Sequence, residues 1–198
     1  MTDVSVIVPL RNREHEVAST IRAAADITKH VRSPEGETPE IAVEILALDE
    51  RSGDNTLSVL SVLHGQIPGL RTVKDVVLGT SLRRASKIAR GEVWVILDHA
   101  IAPASAAWAL NEVLRGARAA VIPGEVLAME GRLGTRLLAE CRGGLVAAQR
   151  EVVRFLRKHG EHAVVSEPGD GRKLRVRDRL RRGLARLGIG RTSRPRAS

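Results

Sequence analysis

Ile41-Ala42-Val43-Glu44-Ile45-Leu46-Ala47-Leu48 runs straight into Asp49-Glu50, after which Arg51-Ser52-Gly53-Asp54 turns the chain into Asn55-Thr56-Leu57. The apolar run reads as a buried strand. The polar stretch reads as a tight turn, and Asn55 to about His64 as a helix with Asp54 as its N-cap. Strand, short turn and helix make the repeating unit of an α/β sheet, and this unit ends its strand on two carboxylates.

The same unit recurs on either side. Val4 to Val8 is a β-branched run closed by Pro9, followed by Leu10-Arg11-Asn12 and then by Val17, Ile21, Ala24 and Ile27 at helical spacing. A polar stretch from His30 to Glu40, with Pro34, Gly36 and Pro39, links it to the run at Ile41. Downstream, Pro68-Gly69 breaks the helix, and Leu70 to Val77 reads as a strand. Gly79 and Thr80 then open a helix over Ser81 to Ala89, stopped by Gly91. Glu92 to Leu97 is a dense apolar strand ending at Asp98, Pro103 to Leu114 a helix with Trp108 and Ala109 on its apolar side, and Ala119 to Pro123 a further strand.

This alternation predicts a mostly parallel sheet flanked by helices, joined by right-handed crossovers. Beyond Glu130 the period is helical but less marked. Segments at Leu133 to Cys141 and Gln149 to Lys158 precede a short strand at Ala163 to Val165. The organisation expected is a core over residues 1–130, a shortened segment over 131–170 and a basic tail over 171–198, either an amphipathic helix or disordered.

Composition agrees with one such domain: 198 residues, 43% hydrophobic, with Trp94, Trp108 and Phe155 the whole aromatic complement. The core must therefore rest on Val, Ile, Leu and Ala. Cys141 stands alone, which excludes a disulfide scaffold and fits a reducing compartment. The longest run without formal charge, Asn55 to Leu70, is interrupted by Pro68 and Gly69, so no bilayer span is expected. The start of the chain has no basic region ahead of an apolar stretch, so no signal peptide is expected. The net charge of +9 is concentrated: residues 171–198 hold eleven Lys or Arg against Asp178, leaving residues 1–170 at −1. Leu180, Leu184 and Leu187 share one helical face there, with arginines around them. Such a tail attracts polyanions: acidic lipid, nucleic acid or phosphorylated substrates.

In an open α/β sheet, ligands sit beyond the carboxyl ends of the strands. Arg11-Asn12, Asp49-Glu50 and Asp98-His99 all fall there. A strand that ends on a carboxylate bears a desolvation cost unless the acid has a partner. A magnesium or manganese ion shared with substrate phosphates is one such partner. No glycine-rich turn follows the first strand, so neither a dinucleotide fingerprint nor a P-loop is present. His15 and His99 have no metal-spaced partners.

Three segments then resemble family 2 glycosyltransferases, which have the GT-A (Rossmann-like) fold. Val4 to Asn12 resembles the family's opening strand, and Leu48-Asp49-Glu50-Arg51-Ser52-Gly53-Asp54-Asn55-Thr56-Leu57 its second-strand motif. Ala89-Arg90-Gly91-Glu92 with Val93 to Asp98 resembles the segment leading into its DxD motif, with Pro103 opening the next helix. The resemblance covers residues 4 to 115. It implies a single GT-A-like domain that binds a nucleotide-diphosphate sugar. Pro9, Arg11 and Asn12 would lie at base and ribose, Asp49 at the base with Glu50 beside it, and Arg83 or Arg84 near the diphosphate. Asp98 would meet the ribose and a Mg or Mn ion. Two departures stand out. The DxD position reads Asp98-His99-Ala100, without its second acid, and the acceptor half after Glu130 is reduced. Glu140, Glu151, Glu167 and Asp170 have no motif around them, so no catalytic base is assigned.

Two readings follow. In one, the chain transfers a sugar to a polyprenyl phosphate or another membrane-proximal acceptor, whose ionised oxygen needs no general base. The basic residues 172–196 would hold it at the inner face of the membrane, a cytoplasmic and peripheral placement. In the other, it is a catalytically degenerate relative acting as a binding or partner protein. Nucleic-acid binding ranks last, because the tail has charge but no aromatic residue for stacking.

Overall fold

The computed structural model describes residues 2–31 and 40–166. The expected tail at 171–198 and most of the polar stretch before the second strand lie outside the described residues, as do Glu167 and Asp170.

Among the described residues seven strands form one sheet in the order β3-β2-β1-β4-β6-β5-β7. They are β1 (Val4–Leu10), β2 (Val43–Asp49), β3 (Leu70–Val73), β4 (Val93–Ile96), β5 (Ala119–Ile122), β6 (Val126–Glu130) and β7 (Val164–Val165). The helices are α1 (Val17–Asp26, continued by a 3-10 turn to His30), α2 (Thr56–His64), α3 (Ser81–Ile88), α4 (Pro103–Leu114), α5 (Gly131–Leu138) and α6 (Leu145–Lys158). The strands β3, β2, β1 and β4 run parallel, so their carboxyl ends share one edge. β6 is antiparallel to both β4 and β5, and β7 lies parallel to β5. The sheet is mixed and mostly parallel.

Each face of the sheet has its own core. Val6, Val8, Ala47 and Val95 pack under α1, α2 and α4; Ile7, Leu46, Leu48, Trp94 and Ile96 pack under α3, α5 and α6. Strands covered on both sides read as unbroken apolar runs, which is why they stand out in the sequence. Trp94 is the bulkiest buried side chain, its indole N–H donating to the Gly91 carbonyl at 2.9 Å. A Cβ at Gly134 would lie 2.3 Å from the Trp94 ring, and one at Gly91 would lie 2.4 Å from the Ser5 backbone nitrogen. Both glycines are therefore required by close packing, and Gly91 does more than stop a helix.

Boundaries shift by a few residues along the chain, α6 for example beginning at Leu145 rather than Gln149, and three differences change the reading. β1 continues through Pro9 to Leu10. Ile7 faces β4, accepting from the Leu97 N–H at 3.2 Å, while Leu10 faces β2, accepting from the Glu50 N–H at 2.8 Å. By alternation Pro9 turns its ring nitrogen to the β4 side, beyond the last bond to that strand, where no donor is needed. β3 stops at Val73 instead of reaching Val77, because Asp75 takes a left-handed conformation (φ 58°) that breaks the extended run. β6 was not anticipated, and it turns the second half of the sheet antiparallel.

Candidate functional site

The parallel half of the sheet brings the ends of β1, β2 and β4 to one edge, where Arg11, Asn12, Asp49, Glu50 and Asp98 all sit. The loops after β1 and β2 are stitched together across some forty residues of sequence. The Asn12 N–H donates to Ser52 Oγ at 3.0 Å, and the Gly53 N–H donates to Asn12 Oδ1 at 2.8 Å. The Arg13 N–H donates to Thr56 Oγ1 at 2.8 Å, the Glu14 N–H to Asp54 Oδ2 at 3.1 Å, and the Asn55 N–H to Glu14 Oε2 at 3.0 Å. Asn12 (φ 50°) and Arg51 (φ 54°) are both left-handed, a conformation that non-glycine residues hold only when their surroundings impose it. The stitching supplies that imposition.

Asp54 sits one residue before the N-cap Asn55, and its Oδ1 accepts from the Thr56 N–H at 3.1 Å and Thr56 Oγ1 at 2.5 Å. The expected cap is thus displaced by one position. The Thr56 hydroxyl, with backbone N–H groups behind it, holds the Asp54 carboxyl below the usual carboxylate range, against the opposing effect of desolvation.

Asp49 is fully buried at the end of β2. Its Oδ2 accepts from the Ser52 N–H at 3.1 Å, while Oδ1 is buried with no hydrogen-bond partner. A buried carboxylate oxygen without a donor is costly and uncommon in a folded protein. Glu50, next to it, has a different task. Its Oε1 accepts from Ser81 Oγ at 2.6 Å and from the N–H groups of Gly79 and Ser81 at 3.1 and 3.3 Å. Glu50 thereby caps α3 and fixes that helix against the end of β2.

Asp98 is half-buried, with Oδ1 2.7 Å from Nδ1 of His99. Asp49 and Asp98 therefore occupy different surroundings, one sealed and one open. Pro9 is half-buried in β1, and Arg11 and Asn12 are exposed. Arg83 and Arg84 are exposed on the outer face of α3, in a groove of about 290 Å³ shared with Val77, Thr80 and Lys87. Neither Asp49 nor Asp98 lines that groove. Among the residues considered for a catalytic base, Glu151 pairs with Arg154 and Glu140 is exposed.

Among the described residues no three His, Cys, Asp or Glu side chains gather as a ligand set. Asp98 with His99 offers two donors. That fits a divalent cation arriving with most of its coordination supplied by phosphates and water, and it does not fit an ion held by protein alone.

Sequence reading missed Ser52, Thr56 and Glu14 as bracing residues, and it gave Glu50 only a ligand role. Their bonds join segments far apart in the chain, so no local spacing announces them.

Residues 5–101 match the family model described as Glycosyl transferase family 2. No curated protein matches the sequence. Several solved structures share the fold. Glucosyl-3-phosphoglycerate synthase from Mycobacterium tuberculosis, solved with Mn2+, UDP and glucosyl-3-phosphoglycerate, aligns at TM-score 0.59 and 18% identity. That alignment covers 96% of this chain and 81% of that one. The mannosyltransferase PcManGT from Pyrobaculum calidifontis, solved with GDP-Man and Mn2+, aligns at 0.58 and 18% identity, over 97% and 66% of the two chains. S. aureus TarS 1-349 aligns at 0.54 and 16% identity, over 85% and 58%. The present chain thus spans less than two-thirds of the TarS and PcManGT chains. At these identities the likeness is one of fold, a GT-A-like α/β domain.

Proposed function

From a chain that resembles family 2 glycosyltransferases, matched to them over residues 5–101 and sharing their fold, we propose that this protein binds a nucleotide-diphosphate sugar at the carboxyl edge of β1, β2 and β4. There it would transfer the sugar to a phosphate-bearing acceptor. The observation that carries the proposal is Asp49 Oδ1, a buried acceptor atom without a donor at the end of a parallel strand. The loops that seal Asp49 would have to part to admit a base N–H to that oxygen; the hydrogen bond formed would then relieve its desolvation cost, so a nucleotide is a fitting ligand. Pro9, Arg11 and Asn12 flank the same edge, with Arg11 free to turn toward ribose or phosphate.

In the reaction the bond from the sugar C1 to the diphosphate oxygen breaks, the nucleoside diphosphate leaves with its electron pair, and an acceptor oxygen bonds to C1. A Mg or Mn ion held by Asp98 would neutralise charge on the leaving diphosphate. Arg83 and Arg84 stand on the outer face of the helix that Glu50 docks to this edge, in a groove that neither Asp49 nor Asp98 lines, so they are not assigned to this charge. An acceptor that is already an anion removes the need for a general base. The solved relatives with GDP-Man or UDP and Mn2+ support this choice of ligand class. The acceptor we favour is a lipid phosphate such as a polyprenyl phosphate. The basic tail would then keep the protein on the inner face of the membrane.

A second reading rests on Ala100 and on the absence of a three-donor cluster among the described residues. It is a catalytically degenerate relative that keeps the fold and serves as a binding or partner protein. Titration calorimetry with UDP, GDP and their sugars, with and without Mn2+, separates the two when run beside a transfer assay on polyprenyl phosphate. Metal-dependent binding that Asp98→Ala abolishes, together with labelled lipid product, is expected. Nucleotide binding that is indifferent to Mn2+ and gives no product would favour the second reading. No binding by any nucleotide would overturn the first reading and favour the second.

A further inference from the structure

The connection from β3 to α3 is held at both ends by the end of β2. The Val76 N–H donates to the Asp49 carbonyl at 2.9 Å, and the Gly79 N–H donates to Glu50 Oε1 at 3.1 Å. Between these anchors Val77 and Leu78 project outward, 54% and 58% exposed, and the Val77 carbonyl accepts from the Thr80 N–H and hydroxyl at 3.0 and 2.7 Å. Left-handed Asp75 and Gly79 (φ 71°) flank the projection. Their exposure is thus built into the loop. Among the described residues the other large apolar side chains so exposed, Val62, Leu114 and Val146, stand singly in the sequence.

The groove beside this loop is basic. Arg83, Arg84 and Lys87 line it together with Val77. The stretch from Ser81 to Arg90 contains no acid, and none of these three cations has an ion-pair partner among the described residues. Elsewhere Arg71, Arg118 and Arg154 are each matched to a carboxylate. Two apolar side chains at a rigid tip, with a row of unpaired cations behind them, match the depth profile of an anionic bilayer. The tip enters the acyl boundary and the cations stay with the phosphates.

We propose that the 74–80 loop and the outer face of α3 form a docking surface for anionic lipid. Charge selects this occupant over the alternatives. The chain's own tail carries +10 and would be repelled, as would the same patch of a second copy. A nucleic acid gains nothing from exposed Val77 and Leu78, and the patch offers no aromatic ring to stack on a base. The surface would act alongside the tail, which attracts without setting orientation. The loop would set it, turning the carboxyl edge of the sheet toward the membrane.

The test uses the full chain. Cys141 is buried, so a cysteine introduced by Leu78→Cys takes an environment-sensitive fluorophore selectively under native conditions. Val62→Cys, on α2 and so on the opposite face of the sheet, is the control. With phosphatidylcholine vesicles containing phosphatidylglycerol, the probe at 78 should shift to the blue and brighten, while the probe at 62 stays in water. Replacing Val77 and Leu78 by serine should weaken vesicle binding by about fivefold, the scale of partly withdrawing two apolar side chains from water. The proposal is overturned if the chain sediments with these vesicles while both probes stay equally wet, since the tail alone would then be responsible. Equal insertion into neutral vesicles, or no binding to acidic ones, overturns it as well. No sugar donor is present, so the outcome is independent of whether transfer occurs.

Discussion

The two edges of the sheet each bury a carboxylate from β2, and they treat it in opposite ways. At the amino edge, Glu44 is satisfied on both oxygens. Oε1 accepts from Ser5 Oγ and the Arg90 N–H, both at 2.6 Å, and Oε2 pairs with Arg71. One side chain thereby ties β1, β2, β3 and the start of β4, and Gly91 lets the backbone close over it. At the carboxyl edge, Asp49 keeps one oxygen without a donor, and the adjoining loops hold Asn12, Arg51 and Asp75 in left-handed conformations. Strain and unmet hydrogen bonds concentrate where a ligand is expected, and complete pairing lies at the other end of the same strand. The difference separates a carboxylate that holds the fold from one that waits for a partner.

The largest effect expected from breaking this contrast is at the amino edge. Glu44→Ala removes the acceptor of the buried Ser5 hydroxyl, leaves the Arg90 N–H only its longer bond to Ser5 Oγ, and leaves the part-exposed Arg71 only the Ile88 carbonyl, so stability should fall by about 2–4 kcal/mol. Urea unfolding followed by circular dichroism measures it. A loss under about 1 kcal/mol would mean that the pairing adds little beyond its own desolvation.

Asp49→Asn should do the reverse. It removes a buried charge that lacks one of its donors, so stability should stay within about 1 kcal/mol of the parent or rise. Nucleotide affinity should drop at least about tenfold, because the amide keeps the shape of the side chain but not the charge that strengthens a hydrogen bond. Calorimetry beside urea unfolding reads both quantities. A large loss of stability with affinity unchanged would make Asp49 a second structural carboxylate and erase the contrast.

The same contrast explains what could be read from the sequence. β1, β2 and the helix Pro103–Leu114 were legible because β-branched runs, strand-ending carboxylates and a helix-opening proline are local signals. β6 was not. Val126-Leu127-Ala128-Met129 is buried on both faces, so it has no alternation, and Leu, Ala and Met favour a helix as readily as a strand. Residues Val76 and Val77 look like the end of a strand, yet Asp75 has already turned the chain. At the site, the residue types at the strand ends were legible. The bracing by Ser52, Thr56 and Glu14 was not, since it exists only once two loops some forty residues apart meet.

The smallest expected effect is a pH dependence inside that bracing. Thr56 and neighbouring N–H groups keep the Asp54 carboxyl below its ordinary value of 3.8 in the folded chain. On acidification the unfolded chain binds its proton first, so the stabilisation is fully present above 3.8 and is lost as pH falls through the lowered folded value. Asp54→Asn keeps an oxygen for Thr56 while removing the charge. The stability gap between parent and variant should therefore be largest near neutrality and should close on acidification below 3.8. Urea midpoints across an acid series measure the gap. A gap that holds constant or widens in acid would show that the oxygen's geometry, and not its charge, braces the two loops, and Asp54 would then join Glu44 as a carboxylate whose role is to hold the fold.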